Sequence, residues 1–496
     1  MKRVSVVLSL FLVLALTTLA GCGPSPSSNP SPNSTAPLGA DNLNLIFVVS
    51  PDLAYNAPGD INPDTANLTN QGLQRSLLMA TYLKQQVMGN KNVNRIYALE
   101  PMTHLQTANH YPDMAAIGYI QQFALLNQIT LTGLGGYGSP LYTANSYPLS
   151  ASYASGPVPS GVATPLVPSY GCQGLDFTDT ASNNEILVTT IVKIHVPGFY
   201  VFSAPWETVS ALMANTNKKQ GYNLTLPTSY AGPNDVYAIS ITPSGSASLV
   251  TYHSDLNPPS TYPVLPSPVA SASPPGPDTT PSLFSITATG GINGAVIPAG
   301  INTNETIYMI RHAEAHPWSG WDDGNFVAAG QWRALALPDA LRGKISPTQV
   351  YSIDPAQVLP GGYVIAGNSN FSYVRPSLTV WPYAIANNLP YYLVSEFEIF
   401  ANGSPQLTSN FFFFNPKFSN QTVLVAWEHA HYPPTIDALL SSYFPQGDGP
   451  TAPAWPGNDY DTIWTVTLDA KGNLTVNNAL CEGIDSTKLP ATAPQF

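Results

Sequence analysis

Residues 305–314 read Glu-Thr-Ile-Tyr-Met-Ile-Arg-His-Ala-Glu, and residues 44–51 read Asn-Leu-Ile-Phe-Val-Val-Ser-Pro. Both stretches contain a short apolar run that leads into a loop, a pattern that predicts a buried strand. When the two are aligned, the Arg-His pair of the first corresponds to Ser50-Pro51 of the second. This correspondence is the beginning of an internal repeat, and the repeat decides the predicted fold.

Five further features occur in the same order in both halves of the chain. They are a helix start with a glycine and an arginine, a strand that ends in proline, a second helix start, a third helix and a final strand. The matched residues are Leu68, Gly72 and Arg75 with Phe326, Gly330 and Arg333, residues 96–101 with 350–355, Pro112 and Tyr119 with Pro376 and Tyr383, residues 207–212 with 434–439, and Asp235 with Asp461. Because strands and helices alternate in each copy, we expect two α/β sandwich domains, each a mostly parallel sheet with helices on both faces.

The boundaries of the copies follow from composition. Residues 258–281 are rich in Pro, Ser and Ala, which is typical of a linker. Residues 133–179 and 360–372 have no counterpart in the other copy and are predicted insertions. The predicted organisation is a signal peptide at 1–21, a Pro/Ser-rich tether at 22–40, a first copy at 41–256, a Pro-rich linker at 257–283 and a second copy at 284–496.

The N-terminal segment is predicted to be a targeting signal. Lys2 and Arg3 precede an apolar run that closes with Leu-Ala-Gly and Cys22, and this arrangement resembles a bacterial lipoprotein signal with its lipobox. The resemblance implies cleavage before Cys22, a lipid on its thiol, and anchoring to a membrane of the cell envelope outside the cytoplasm. An ordinary cleaved signal and an uncleaved anchor are the alternatives. Cys172 and Cys481 either form a disulfide, which export permits, or remain thiols.

The charge of the chain excludes one class of function. Its 496 residues include 17 Lys and Arg against 29 Asp and Glu, and charged residues are only 9% of the total. A nucleic-acid-binding protein should carry a basic stripe, and the sequence shows none. A surface with few ionisable groups changes little when carboxylates are protonated. We therefore expect an extracytoplasmic environment, an acidic one included.

The motifs with chemical potential lie in the second copy. They are Arg311-His312-Ala313-Glu314, Gly330-x-x-Arg333, residues 350–355, Arg375-Pro376, and the strand 423–429, which ends in Trp-Glu-His. In this order, each after the expected element, they resemble the histidine phosphatase superfamily, which has the phosphoglycerate-mutase-like fold. In that family an Arg-His-Gly or Arg-His-Ala tripeptide ends the first strand. The resemblance covers residues 304–444 by motif and implies hydrolysis of a phosphate monoester.

The resemblance also implies the role of each site residue. His312 would attack phosphorus and form a phosphohistidine. Arg311 and Arg375 would bind the phosphoryl oxygens with planar, bidentate donors that a lysine cannot reproduce. His429, as a cation, would stabilise the charge of the transition state. Glu396 would be the general acid that protonates the leaving oxygen, without a metal ion or other cofactor.

Two of these assignments leave alternatives open. Glu398 shares a strand face with Glu396, and either carboxylate could instead be a solvated loop residue. His431 lies two residues after His429, and we prefer His429 because it ends the apolar run. A metal site is not expected, because His312, His316, Asp322, Asp323, His429 and His431 show none of the usual ligand spacings.

The first copy lacks the groups that would do this chemistry. Ser50-Pro51 replaces the Arg-His pair, Tyr111 stands at the position of Arg375, and no histidine matches His429. We interpret the first copy as a degenerate domain without catalytic function. A competing hypothesis is that the second copy binds phosphate or a phosphorylated ligand without turnover. A third is a surface interaction protein. The expected partner is a phosphorylated small molecule or phosphoester, with no nucleic acid.

Overall fold

The computed structural model describes residues 35–55, 59–127, 129–132, 141–144, 149–150, 174–180, 182–271, 282–316, 323–355, 358–365, 368–394 and 405–496. The lipobox with Cys22, the residues Cys172, Trp318, Trp321 and Asp322, and both candidate acids, Glu396 and Glu398, lie outside these residues. Pro37–Phe496 form one compact unit. The free thiol of Cys481 is buried within it.

Strands and helices alternate along the chain, as the sequence predicts. The first half contains β1 (Leu43–Val49), α1 (Asn70–Tyr82), β2 (Arg95–Ala98), β3 (Leu105–Gln106), β4 (Tyr111–Pro112), α2 (Ala115–Leu125), β5 (Ile129–Thr132), β6 (Leu141–Ala144), β7 (Leu149–Ser150), α3 (Asn183–Ile194), β8 (Gly198–Ala204), α4 (Trp206–Gln220), β9 (Asp235–Ile241) and β10 (Ala247–His253). The second half contains β11 (Ser285–Ala288), β12 (Glu305–Arg311), α5 (Ala328–Ala340), β13 (Gln349–Ile353), β14 (Val358–Ile365), β15 (Asn368–Ser372), α6 (Arg375–Ala386), β16 (Tyr391–Val394), α7 (Pro405–Phe413), β17 (Thr422–Trp427), α8 (Tyr432–Tyr443), β18 (Thr462–Leu468) and β19 (Leu474–Cys481).

The two halves build two large sheets with matching strand orders. The first sheet has the order β10-β9-β1-β8-β2-β7, and the second has the order β11-β19-β18-β12-β17-β13-β16. In each sheet, four strands including the central one are parallel, and the strands on one side are antiparallel. The sheets are mixed but mostly parallel, since the parallel part holds four of six strands in the first sheet and four of seven in the second. The antiparallel strands include the last two of each half, which form a hairpin whose short connection enforces antiparallel pairing.

Helices cover both faces of each sheet, and four of them lie between the two sheets. One apolar cluster joins residues of β1 and β12 with helices α1, α2, α5 and α6. A second cluster lies on the other face of the second sheet under α7 and α8, and a third lies on the other face of the first sheet under α3 and α4. The two halves thus share one central core. The predicted boundaries of separate domains remain a prediction.

Close contacts fix the two halves against each other in this core. A Cβ at Gly118 of α2 would lie 1.6 Å from the ring of Trp381 of α6, so only glycine fits there. The Trp381 indole donates to Asn67 across the halves at 3.2 Å. Gln121 and Asn325 exchange two buried amide hydrogen bonds of 2.8 and 3.0 Å. These reciprocal bonds satisfy polar groups that burial would otherwise penalise.

The repeated glycine and arginine of the helix starts have a structural role in both halves. A Cβ at Gly72 would meet the Asp60 carbonyl oxygen at 2.1 Å, and one at Gly330 would meet Phe326 at 2.7 Å. Arg75 forms a buried ion pair of 2.6 Å with Asp60. Gly72 thus allows a close approach of the Asp60 backbone, and Gly330 allows a close approach of the Phe326 side chain.

Among the described helices, none combines the length and the apolar run that a membrane crossing requires.

Candidate active site at the end of the second sheet

The parallel pairing of β12 and β17 brings the two main motifs together. Arg311 is in register with Trp427, and the backbone N–H of His312 donates to the Trp427 carbonyl at 3.0 Å. Because both strands end at the same edge of the sheet, the residues that follow them meet there. The motif Arg311-His312 therefore lies beside Glu428 and His429.

The loop after β12 holds His312 in one orientation. Its side chain is 1% exposed, and Nδ1 lies 2.7 Å from the carbonyl oxygen of Ala313. A carbonyl oxygen only accepts, so Nδ1 carries the proton and Nε2 is left to face the site. The N–H of Ala313 donates to Thr379 Oγ1 on α6 at 2.8 Å, which fixes this loop against the helix. This is the tautomer that an Nε2 nucleophile requires.

Glu428 is a central residue of the site, and sequence reasoning did not assign it a role. Its Oε2 lies 2.8 Å from His312 Nε2 and accepts a hydrogen bond of 2.9 Å from the Tyr373 hydroxyl. Its Oε1 contacts Nδ1 of His429. The available signal was its position in the Trp-Glu-His sequence, directly between the strand end and a candidate catalytic histidine.

Only one proton can lie between His312 Nε2 and Glu428 Oε2. Burial lowers the pKa of His312 to about 4, with Arg375 and Arg311 acting in the same direction and Glu428 opposing them. Burial alone would raise the pKa of Glu428, but the imidazoles of His312 and His429 hold it well below its usual range. The two groups therefore compete for one proton and titrate as a pair.

The two predicted phosphate-binding arginines flank this pair. Arg311 donates to the Gly457 carbonyl at 2.5 Å, and its guanidinium stacks over the ring of Tyr460 at 3.8 Å. Its buried Nε–H has no hydrogen-bond acceptor among the described residues. Arg375, the first residue of α6, donates to the Asn325 carbonyl at 3.1 Å. Both charges act on His312, which places them where they could bind an anion.

The other candidate residues have different surroundings. His431 stacks on Trp427, with ring centroids 4.6 Å apart, whereas His429 contacts Glu428 directly. His316 lies 3.6 Å from Asp323.

Glu314 and Arg333 form a buried structural network. Arg333 bonds Glu314 at 2.8 Å and Glu482 at 2.5 Å, and it lies 3.7 Å from Asp461. Burial opposes the charge of Arg333, but these carboxylates raise its pKa further above the ordinary arginine value. The arginine of the second helix start is therefore occupied by buried carboxylates and has a structural role.

Comparisons with known proteins give limited information. No protein-family profile matches the chain, and no curated protein matches it. It is similar to a proposed phosphohistidine phosphatase SixA from Nakamurella multipartitia, with 17% identity, a TM-score of 0.23, and coverage of 36% of this chain and 88% of that chain. A proposed SixA from Agrobacterium tumefaciens shows 15% identity, a TM-score of 0.20, and coverage of 34% of this chain and 93% of that chain. A mycobacterial protein named hydrolase 2 shows 12% identity, a TM-score of 0.22, and coverage of 36% of this chain and 91% of that chain. These TM-scores are too low to support a functional assignment.

Proposed function

We propose that this protein hydrolyses phosphate monoesters through a phosphohistidine at His312. The observation that carries the proposal is the position of His312 itself. It is buried at a strand end, its Nδ1 donates to a backbone carbonyl, its Nε2 faces Glu428, and the charges of Arg311 and Arg375 act on the ring. A neutral imidazole beside two guanidiniums is suited to attack a phosphoryl group once the Glu428 carboxylate leaves Nε2.

The proposed reaction has two balanced steps. First, a monoprotonated phosphoryl group passes its proton to the Glu428 carboxylate and His312 Nε2 attacks phosphorus. The bond from phosphorus to the leaving oxygen breaks, and that oxygen takes the proton from Glu428. Second, water attacks phosphorus, the bond from phosphorus to Nε2 breaks, and the proton of the water passes to the Glu428 carboxylate. Arg311, Arg375 and the imidazole of His429 balance the charge of the phosphoryl oxygens, so the steps need no metal ion. Glu428 replaces Glu396 as our candidate acid, because it already contacts the nucleophilic atom.

The wider context of the proposal comes from the sequence. The motifs around His312 and Arg375 support membership of the histidine phosphatase superfamily, and the repeat supports a tandem duplication with a degenerate first copy. The lipobox at Cys22 supports a lipid-anchored protein outside the cytoplasm. The substrate is a phosphorylated small molecule or phosphoester, and the scarcity of Lys and Arg disfavours highly phosphorylated ligands and nucleic acid.

One observation favours a second candidate function. The Glu428 carboxyl group lies 2.8 Å from His312 Nε2, the place that a phosphoryl group would need to take. If this contact persists when an anion enters, the site would bind phosphate without turnover. Catalysis therefore requires the Glu428 carboxylate to move away from His312 Nε2.

The deciding experiment is hydrolysis of p-nitrophenyl phosphate by the signal-free protein in the presence of a chelator. We expect turnover that falls by ~10³-fold or more in His312→Ala, because the nucleophile is lost. His253→Ala, at an exposed histidine of β10, is the matched control and should keep full activity. Absent turnover together with calorimetric binding of inorganic phosphate would establish the binding function instead. Absent turnover and absent binding would contradict both candidates.

A further inference from the structure

Three metal-ligating side chains converge at the matching end of the first sheet. Asp52 lies three residues after β1, His104 lies in the loop between β2 and β3, and Asp113 directly follows β4. One ligand atom of each lies within 4.8 Å of the other two. The side chains of Asp52, Asp113 and His104 are 2%, 0% and 14% exposed. We call these three residues the anionic cluster.

The hydrogen bonds of the cluster leave one carboxylate oxygen without a donor. His104 Nδ1 lies 3.0 Å from Asp113 Oδ2, within a hydrogen bond, and 3.3 Å from Asp52 Oδ2. A ring nitrogen carries a single hydrogen, so it serves only one of the two carboxylates. Asp52 Oδ2 is consequently buried without a hydrogen-bond partner among the described residues. An orphaned buried carboxylate oxygen is costly unless a cation satisfies it.

Local backbone contacts aim the three side chains at one point. Asp52 Oδ1 accepts from the Ala54 N–H at 2.7 Å, and Asp113 Oδ1 accepts from the Ala115 N–H at 3.0 Å. Each carboxylate is thus fixed by one oxygen and presents the other to the cluster. The imidazole of His104 stacks on Phe177 with centroids 3.7 Å apart and an interplanar angle of 5°. This packing holds the ring so that Nδ1 faces both aspartates.

The cluster has more negative than positive charge. The carboxylates of Asp52 and Asp113 share a single imidazole, and their side chains are 2% and 0% exposed. Even a protonated His104 would supply one positive charge against two buried carboxylates. The arrangement therefore suits a cation of higher charge than a proton.

We propose that Asp52, His104 and Asp113 bind a divalent transition-metal ion of the Zn²⁺ type. One imidazole and two carboxylates are ligands that such ions accept, whereas an imidazole nitrogen is a poor ligand for Ca²⁺ or Mg²⁺. A tetrahedral ion with bonds of ~2.0–2.2 Å separates its ligand atoms by ~3.3–3.6 Å. The distances from Nδ1 to the two carboxylate oxygens, 3.0 and 3.3 Å, are close to this spacing. Three protein ligands leave a fourth position for water.

The strand register shows that this site lies where the other sheet holds its catalytic candidates. Val49 of β1 pairs with Ala204 of β8, as Ile310 of β12 pairs with Ala426 of β17. Ser50 and Pro51, which directly precede Asp52, therefore occupy the positions that Arg311 and His312 have in the second sheet. The metal proposal stands on the first sheet alone and does not depend on phosphatase activity.

The test is calorimetric titration of Zn²⁺ into the full chain after chelator treatment. We expect one ion per chain, with the proton of His104 on Nε2 and Nδ1 bound to the ion. Asp52→Asn, which keeps the shape of the side chain, should weaken binding by ~10²-fold or more, since even residues outside the ligand shell contribute 10–100-fold. His312→Ala should bind Zn²⁺ as the unchanged protein does, which excludes the second site as the source.

A second measurement keeps the proposal testable if Asp52→Asn does not fold. Co²⁺ added to the unchanged protein should give the intense visible absorption of a four-coordinate ion, and His104→Gln should remove it. Absence of Zn²⁺ and Co²⁺ binding would overturn the proposal and leave a protonated His104 as the partner of the carboxylates. Binding that survives in folded Asp52→Asn but disappears in His312→Ala would also overturn it.

Discussion

The corresponding ends of β1 and β12 in the two sheets carry side chains of opposite charge. The end of β12 presents Arg311, with His312 beside it and Arg375 near both. The corresponding end of β1 presents Ser50 and Pro51, followed by Asp52, and it faces His104 and Asp113 instead of arginines. One region concentrates positive charge around a buried imidazole, and the other concentrates buried carboxylates around one.

This difference shows how little of the scaffold is needed to set a site's chemistry. The parallel strands that position both clusters pair in the same order in the two sheets. Their apolar residues are buried in both cases, so they contribute stability in each half. The side chains just beyond the strand ends alone decide whether the edge attracts an anion or a cation.

The largest expected effect concerns the arginines of the repeated helix starts. Arg333→Met should reduce the free energy of unfolding by about 3–5 kcal/mol, because it leaves Glu314, Glu482 and Asp461 buried without their cation. Arg75→Met should cost less, because it leaves only Asp60, whose burial already raises its pKa. Urea denaturation measures both.

Arg342→Met, at an exposed ion pair, is the control for this series and should change stability little. An equal or larger loss for Arg75→Met would contradict the view that the second half depends more on its buried charges.

The next effect concerns the charge at the end of β12. Arg311→Lys should lower kcat/KM for p-nitrophenyl phosphate by ~10²-fold, because an ammonium cannot reproduce a planar guanidinium that bonds Gly457 and stacks on Tyr460. Ser50→Ala changes the matching position of the first sheet and should leave kcat/KM unchanged. Steady-state kinetics of both variants provide the measurement. Equal losses would show that both strand ends serve one reaction.

A smaller and more specific effect is expected at Glu428. Glu428→Gln should lower kcat by ~10²-fold with phenyl phosphate, whose leaving oxygen needs a proton. It should have a weaker effect with p-nitrophenyl phosphate, whose leaving group departs as an anion. Comparison of the two substrates separates a proton donor from a positioning role. Glu185→Gln, at a surface ion pair, serves as the control. Identical losses with both substrates would remove Glu428 as the acid.

The last effect, the smallest per unit of pH, concerns the start of the two central strands, where Asn44 matches Glu305. Burial raises the pKa of Glu305 to about 8, and the hydrogen bond from Asn302 only partly opposes this. The folded state therefore binds more protons than the unfolded state between pH 4.5 and about 8, so this group's contribution to stability falls as pH rises through that window. The slope is at most ~1.4 kcal/mol per pH unit.

Glu305→Gln should remove this slope and make the second half resemble the first. Denaturation midpoints at several pH values between 4.5 and 8 measure it. Asp448→Asn, at an exposed carboxylate, should leave the pH dependence as it is. A slope that survives in Glu305→Gln would show that another buried group causes it.

The burial of helices α2, α5 and α6 between the two sheets could have been predicted from the sequence. All residues of α2 are buried, and nearly all of α5 and α6 are. A helix that is apolar on every side is typical of burial between two layers. The repeat and the Pro-rich linker instead predict two separate domains. The contact of Trp381 with Gly118 joins residues far apart in the chain, so no local pattern predicts it.

The sequence by itself predicted the strands, the order of the matching segments in the two halves, and the place of Arg311 and His312 at a strand end. It could do so because apolar periodicity is local and because parallel strands end at a common edge. Only the tertiary structure decided that Glu428 contacts His312 and that Asp52, His104 and Asp113 converge. Their spacing along the chain follows no ligand motif. These contacts depend on strand register and side-chain packing between distant segments, which local patterns do not encode.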